Sequence, residues 1–135
     1  MNRKIGILLA VATIFAVSVP SVMACATRTP GFWKTHPDDW PVDSIEVGGV
    51  TYSKEDAIGI LKTPPKRGDA WIILAKKVIA AKLSREADQP TNPWWDGWWH
   101  LVESADDWLE HGVDRAEAID LSEAIDAILN EHDVD

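Results

Sequence analysis

Ala70-Trp71-Ile72-Ile73-Leu74-Ala75-Lys76-Lys77-Val78-Ile79-Ala80-Ala81-Lys82-Leu83-Ser84-Arg85-Glu86 decides the fold. Trp71, Leu74, Ala75, Val78, Ile79 and Leu83 recur at helical spacing, and Ile72, Ile73, Ala80 and Ala81 widen the stripe until little of the circumference is polar. A helix apolar nearly all round belongs inside a domain, with other elements laid against it. Lys76, Lys77, Lys82 and Arg85 mark its wetter side, and Asp69 stands at the N-cap position.

Three more helices flank it. Ser53-Lys54-Glu55-Asp56 has the form of a capping box and leads into Ala57, Ile58, Ile60 and Leu61, until Pro64-Pro65 stops the run. Trp98, Leu101, Val102, Ala105, Trp108 and Leu109 form one face of a helix from about Trp98 to His111, closed by Gly112. Leu121, Ala124, Ile125, Ile128 and Leu129 form the stripe of a last helix over about Arg115 to Glu131, with capping patterns at both Asp114 and Asp120. Ile45-Glu46-Val47 and Val50-Thr51-Tyr52 alternate around Gly48-Gly49, which predicts a tight hairpin. Residues 27–43, with Pro30, Pro37 and Pro41, read as an irregular segment pinned by aromatic rings, and residues 87–97 as a loop. The expected fold is mainly α: a compact bundle of about four helices with a small N-terminal β-hairpin and an irregular aromatic-rich N-terminal segment.

The first residues read as an export signal. Arg3 and Lys4 precede the uncharged run Ile5 to Val19, Pro20 ends it, and small residues follow up to Ala24. The expected organisation is a cleaved signal over 1–24 and a single exported domain over 25–135. Cys25 is the only cysteine, so no disulfide can form within the chain and the core must hold the domain. Val22-Met23-Ala24-Cys25 resembles a lipobox, which makes Cys25 a candidate for lipidation. Cleavage after Ala24 or after Ala26 by an ordinary signal peptidase is the rival, and the second removes the cysteine. The net charge is −9, and loss of Arg3 and Lys4 makes the remainder more acidic still. Such a surface repels nucleic acid and anionic membranes, so membrane contact is expected only through the signal or a lipid on Cys25.

The thirteen residues Thr29-Pro30-Gly31-Phe32-Trp33-Lys34-Thr35-His36-Pro37-Asp38-Asp39-Trp40-Pro41 carry two Trp, one Phe, one His and three Pro. Together with Gly48-Gly49-Val50-Thr51-Tyr52-Ser53-Lys54 and with Leu74-Ala75 through Val78-Ile79-Ala80-Ala81-Lys82-Leu83, this block resembles a domain found in many exported bacterial and archaeal proteins. In that family a "GYWKNHP…WP" block precedes a "YTK…L" step and a "LIAAKLN" helix. The resemblance runs from Cys25 to about Gly112, ending on Ala105-Asp106 and Trp108-Leu109, with Phe32 in place of the usual Tyr and Thr35 in place of the frequent Asn. It implies a secreted or surface-displayed domain with no established activity. The second, C-terminal cysteine frequent in such proteins has no counterpart here. Gly31, Phe32, Trp33, Lys34, His36, Pro37 and Trp40 are the motif residues, read as structural, with Trp33 and Trp40 in the core and His36 as a polar pin.

Two constellations carry candidate chemistry. His36 with Asp38 or Asp39 is the pattern of a small metal-dependent or hydrolytic enzyme, but its spacing matches no metal motif, and no metal or cofactor is expected. Trp94-Trp95-Asp96-Gly97-Trp98-Trp99-His100 is the sharper one: Trp94, Trp95, Trp99 and His100 offer flat rings and polar groups suited to a glycan or to another surface protein, against the plainer reading, which the general burial of Trp favours, that the rings fill gaps between short helices. The acidic residues from Glu103 to Asp126 contain no EF-hand spacing and read as a solvated face partly paired with Lys76, Lys77 and Lys82. The reading favours an exported, non-catalytic domain for envelope-associated binding or assembly, with a glycan-binding module and a His36 enzyme as alternatives.

Overall fold

The computed structural model describes residues 27–88 and 91–131. The signal segment, Cys25, Pro90 and His132 lie outside the described residues. The elements run in the order α1 (Pro30–Thr35), a 3-10 turn (Pro37–Asp39), β1 (Ser44–Val47), β2 (Val50–Ser53), α2 (Lys54–Lys62), a 3-10 turn (Lys66–Gly68), α3 (Ala70–Ala87), α4 (Pro93–Asp96), α5 (Trp99–His111) and α6 (Arg115–Glu131).

The apolar helix α3 lies at the centre and packs against α6, α5, α1, α2 and β1. Leu74, Ala75, Val78, Ile79, Ala80, Ala81 and Leu83 have no exposed surface. Each large aliphatic chain buried this way contributes about 1.5–3 kcal/mol, and the adjacent alanines let neighbouring elements come close. Asp69 caps the helix as its sequence position predicts, accepting from the amides of Trp71 (3.0 Å) and Ile72 (3.3 Å). Ser53 caps α2 through the amide of Asp56 (3.1 Å). Helix α6 is continuous from Arg115: Asp114 caps the amide of Ala116 (3.0 Å), so the second capping pattern, at Asp120, lies inside the helix.

Two of the six described helices differ from the sequence reading. The segment read as irregular contains α1, and the segment read as a loop contains α4. In both cases proline stands at the first helical position, where its missing N–H would have had no partner and its fixed φ suits the helix. Asn92 caps α4 through the amide of Trp94 (2.9 Å). Of the three prolines in the N-terminal block, Pro30 therefore starts a helix and Pro37 starts the 3-10 turn.

The hairpin is antiparallel, with Ser44 opposite Ser53, Ile45 opposite Tyr52, Glu46 opposite Thr51 and Val47 opposite Val50. Ile45 and Val47 face the core while Ser44 and Glu46 face out. Two short strands are marginal in isolation, and here they are clamped. Lys82 on α3 forms an ion pair with Asp106 on α5 and donates to the Glu46 carbonyl (2.7 Å), while Asp106 accepts from the Gly48 amide (2.9 Å). The clamp joins two helices to the hairpin turn. Gly48 has φ +58°, and a Cβ there would stand 2.8 Å from the Leu109 Cβ. Conformation and close approach both demand glycine at this position.

Gly48→Ala is therefore expected to destabilise the domain by about 2–4 kcal/mol, combining left-handed strain with overpacking. Gly59, inside α2 with open space around its Cα, gives the opposite sign. Gly59→Ala is expected to stabilise by about 0.5–1 kcal/mol. Urea or thermal unfolding of the two variants checks both.

Candidate functional site

The eight tryptophans divide by what their rings and indole N–H groups do. Trp40, Trp71 and Trp108 donate to backbone carbonyls of Trp33 (2.9 Å), Leu109 (3.1 Å) and Asp114 (2.9 Å), tying chain segments together. Gly112, which follows α5, leaves room for the Trp108 ring. Trp33 is buried, with the edge of Phe32 against it (ring centroids 5.0 Å apart). The remaining four, Trp94, Trp95, Trp98 and Trp99, form one ring cluster with centroids 4.9–6.0 Å apart, mostly edge to face. That is the favoured geometry for aromatic quadrupoles.

The cluster corrects the sequence reading of Trp95. Its side chain has no exposed surface, so it cannot offer a ring face to a ligand. The cause is α4: once Asn92 and Pro93 start a helical turn, Trp95 points into the domain rather than out along a loop. Among the described residues its indole N–H and that of Trp98 find no hydrogen-bond partner, and both rings sit among other indoles. Trp94 and Trp99 are half-buried at the edge of the cluster, and His100 is exposed beside them on α5.

Trp99 lies in a cleft. With Val42, Ser44, Ile45, Glu46, Lys82, Arg85 and Glu86 it lines a volume of about 330 Å³ between the outer edge of β1 and the C-terminal half of α3. The Arg85 guanidinium lies 4.4 Å over the Trp99 ring, within cation–π range. Glu46 and Glu86 are exposed carboxylates at the rim, and the Ser44 side of β1 faces solvent. The cleft thus combines one indole, two aliphatic side chains, a fixed guanidinium and two carboxylates. Neither Trp94 nor His100 lines it. Spacing along the chain had no means of revealing the site, because residues 42–46, 82–86 and 99 meet only in the fold.

His36 is held by its own block. Its Nδ1 lies 2.8 Å from the Phe32 carbonyl and 3.0 Å from the Thr35 hydroxyl, and its ring stacks on Phe32 at 4.0 Å. Among the described residues no hydrogen bond or ion pair joins its ring to the Asp38 or Asp39 carboxylate, the Asp39 amide donating instead to the His36 carbonyl (3.1 Å), and no group of three His, Cys, Asp or Glu side chains gathers as a metal site. Trp33 and Trp40 are core residues and His36 pins the α1 turn, in agreement with the motif reading. Lys77 pairs with Asp126 (2.7 Å) and Lys82 with Asp106. Lys76 differs: partial burial, then the charges of Lys34 and Lys77, hold its pKa below the ordinary lysine value.

Comparison with protein-family models, with characterised proteins and with solved structures gives no match.

Two expectations follow. Trp95→Ala removes a fully buried indole from the cluster and is expected to cost about 3–5 kcal/mol in chemical unfolding. Lys34→Gln removes one of the charges that repel Lys76 and is expected to raise stability at pH 7 by less than about 0.5 kcal/mol, because solvent screens so exposed a pair, and the gain shrinks further with added salt. The sign follows from the depressed Lys76 pKa: the charged form is the penalised one, and the penalty fades as pH rises through the lowered value.

Proposed function

We propose that this chain is an exported, non-catalytic binding domain of the cell envelope, of the kind whose sequence blocks it resembles, and that its ligand is a glycan held in the Trp99 cleft. The observation that carries the reading is the composition of that cleft. A half-buried indole stands beside Val42 and Ile45 under a rim of Glu46, Glu86 and Arg85. Sugar rings present an apolar C–H face and a girdle of hydroxyls. The indole and aliphatic groups suit the first; carboxylates that accept and a guanidinium that donates suit the second. Sites of this kind are concave, with an apolar lining and a few fixed polar groups. Arg85 lies over the Trp99 ring, which places its guanidinium at the wall of the cleft.

Export rests on the leader pattern of residues 1–24, and the non-catalytic reading on the absence of any recognised catalytic spacing. His36 is engaged with Phe32 and Thr35, so it supplies no observation in favour of the enzyme alternative.

Retention of the purified domain on envelope polysaccharides and on a glycan array tests the proposal. Glu46→Gln removes one rim carboxylate without touching the core, and Trp99→Ala removes the ring. Each is expected to weaken retention at least tenfold, equivalent to about 1.4 kcal/mol, with the circular dichroism of Glu46→Gln unchanged. Retention of both variants at the level of the parent protein contradicts it.

A further inference from the structure

Helices α5 and α6 follow one another across the short turn at 112–114 and pack together. Beside their contact lies a groove of about 500 Å³, lined by Leu101 of α5, by Asp114, and by Ala116, Glu117, Asp120, Leu121 and Ala124 of α6. Leu101, Leu121 and Ala124 are half-buried and Ala116 is exposed, so the apolar floor stands open to water. Val113, in the turn next to Asp114, is 94% exposed and extends the apolar surface. The three ionisable groups of the groove are all acids. Asp114 uses one carboxylate oxygen to cap the Ala116 amide (3.0 Å). Glu117 and Asp120 are exposed, and among the described residues neither carboxylate enters an ion pair. Arg115, the only Lys or Arg between 115 and 131, donates instead to the Gly68 carbonyl (3.0 Å). The groove shares no residue with the Trp99 cleft.

We propose that this groove docks a short amphipathic helix of a partner protein, one whose apolar side chains are flanked by Lys or Arg. The ground is charge complementarity around an apolar floor. A helix laid in a groove anchors through apolar residues at positions i, i+3, i+4 and i+7. Ala116 to Ala124 rises about 12 Å along α6, which matches roughly two turns of such a partner. Its anchors cover Leu101 and Leu121, and the small Ala116 and Ala124 let its backbone come close. Lys or Arg stems lie along the apolar floor while their charged ends reach Glu117 and Asp120. These rim carboxylates stay in contact with water, so they steer encounter and select the charge of the partner more than they add affinity. A second copy of this chain fits less well, because pairing through this face sets acid against acid in a chain of net charge −9.

Fluorescence anisotropy of two labelled peptides with the full-length protein tests the proposal. Each peptide has about twelve residues with leucines at helical spacing. One carries Lys at the remaining positions and the other carries Glu. The lysine peptide is expected to bind saturably, at least tenfold tighter than the glutamate peptide, and to weaken as salt is raised. Ala116→Lys puts a long cation at an exposed position of the groove and is expected to weaken binding at least tenfold. Glu117→Gln together with Asp120→Asn is expected to weaken it at least fivefold, with circular dichroism unchanged. Asp38→Asn together with Glu55→Gln removes the same charge from exposed positions elsewhere and is expected to leave affinity within twofold. Equal affinity for the two peptides, no saturable binding of either, or equal losses from the two charge-neutralised pairs overturns the proposal. A dimer in analytical ultracentrifugation that Ala116→Lys dissociates also overturns it, since the occupant is then a second copy. The glycan reading stands or falls apart from these results, because none of these substitutions touches the Trp99 cleft.

Discussion

Helix α3 has to be covered on nearly every side, and the arrangement of the other elements follows from that. A run in which Ala80 and Ala81 are as fully buried as Leu74 and Leu83 leaves no broad polar face to turn to water. Among the described residues α6, α5, α1, α2 and β1 pack against it. Three of the long polar side chains it carries, two lysines and an arginine, serve as ties at its margins. Lys77 reaches Asp126 on α6, Lys82 reaches Asp106 on α5, and Arg85 lies on Trp99. Long amphipathic side chains fit this role because their methylene stems lie along apolar surface while their charged ends reach outward.

The Lys82–Asp106 pair holds more than two helices. Each partner also bonds the hairpin backbone, Lys82 at the Glu46 carbonyl and Asp106 at the Gly48 amide. A two-stranded hairpin has little stability of its own, so these bonds and the buried Ile45 and Val47 hold it in place. The same placement sets the outer edge of β1 opposite the C-terminal half of α3 and opens the cleft that Trp99 lines. The candidate site is a consequence of how the hairpin is fastened.

Periodicity made the four longer helices and the hairpin legible, and the caps at Ser53 and Asp69 were readable because capping depends on local chemistry. The two short helices were hidden by proline. A residue that ends helices in their interior also begins them, and Pro30 and Pro93 do the latter. The error over Trp95 follows directly: on a loop its ring would be free, whereas on a capped helical turn it is enclosed. The motif block was read correctly in its core residues, since buried Trp33 and Trp40 and the pinned His36 need only local geometry. The cleft joins residues from three separate segments, so no local pattern announces it.

The functional account divides one tryptophan cluster into a structural part, Trp95 and Trp98, and a ligand-facing part, Trp99. The indole N–H resonances of the eight tryptophans report each ring separately. A nuclear magnetic resonance titration of the labelled domain with envelope oligosaccharides is thus the most direct measurement. The account predicts that the Trp99 indole signal moves and saturates while those of Trp33, Trp95 and Trp98 stay in place. Saturable movement of other indoles with Trp99 unmoved, or no movement at any concentration, would contradict it.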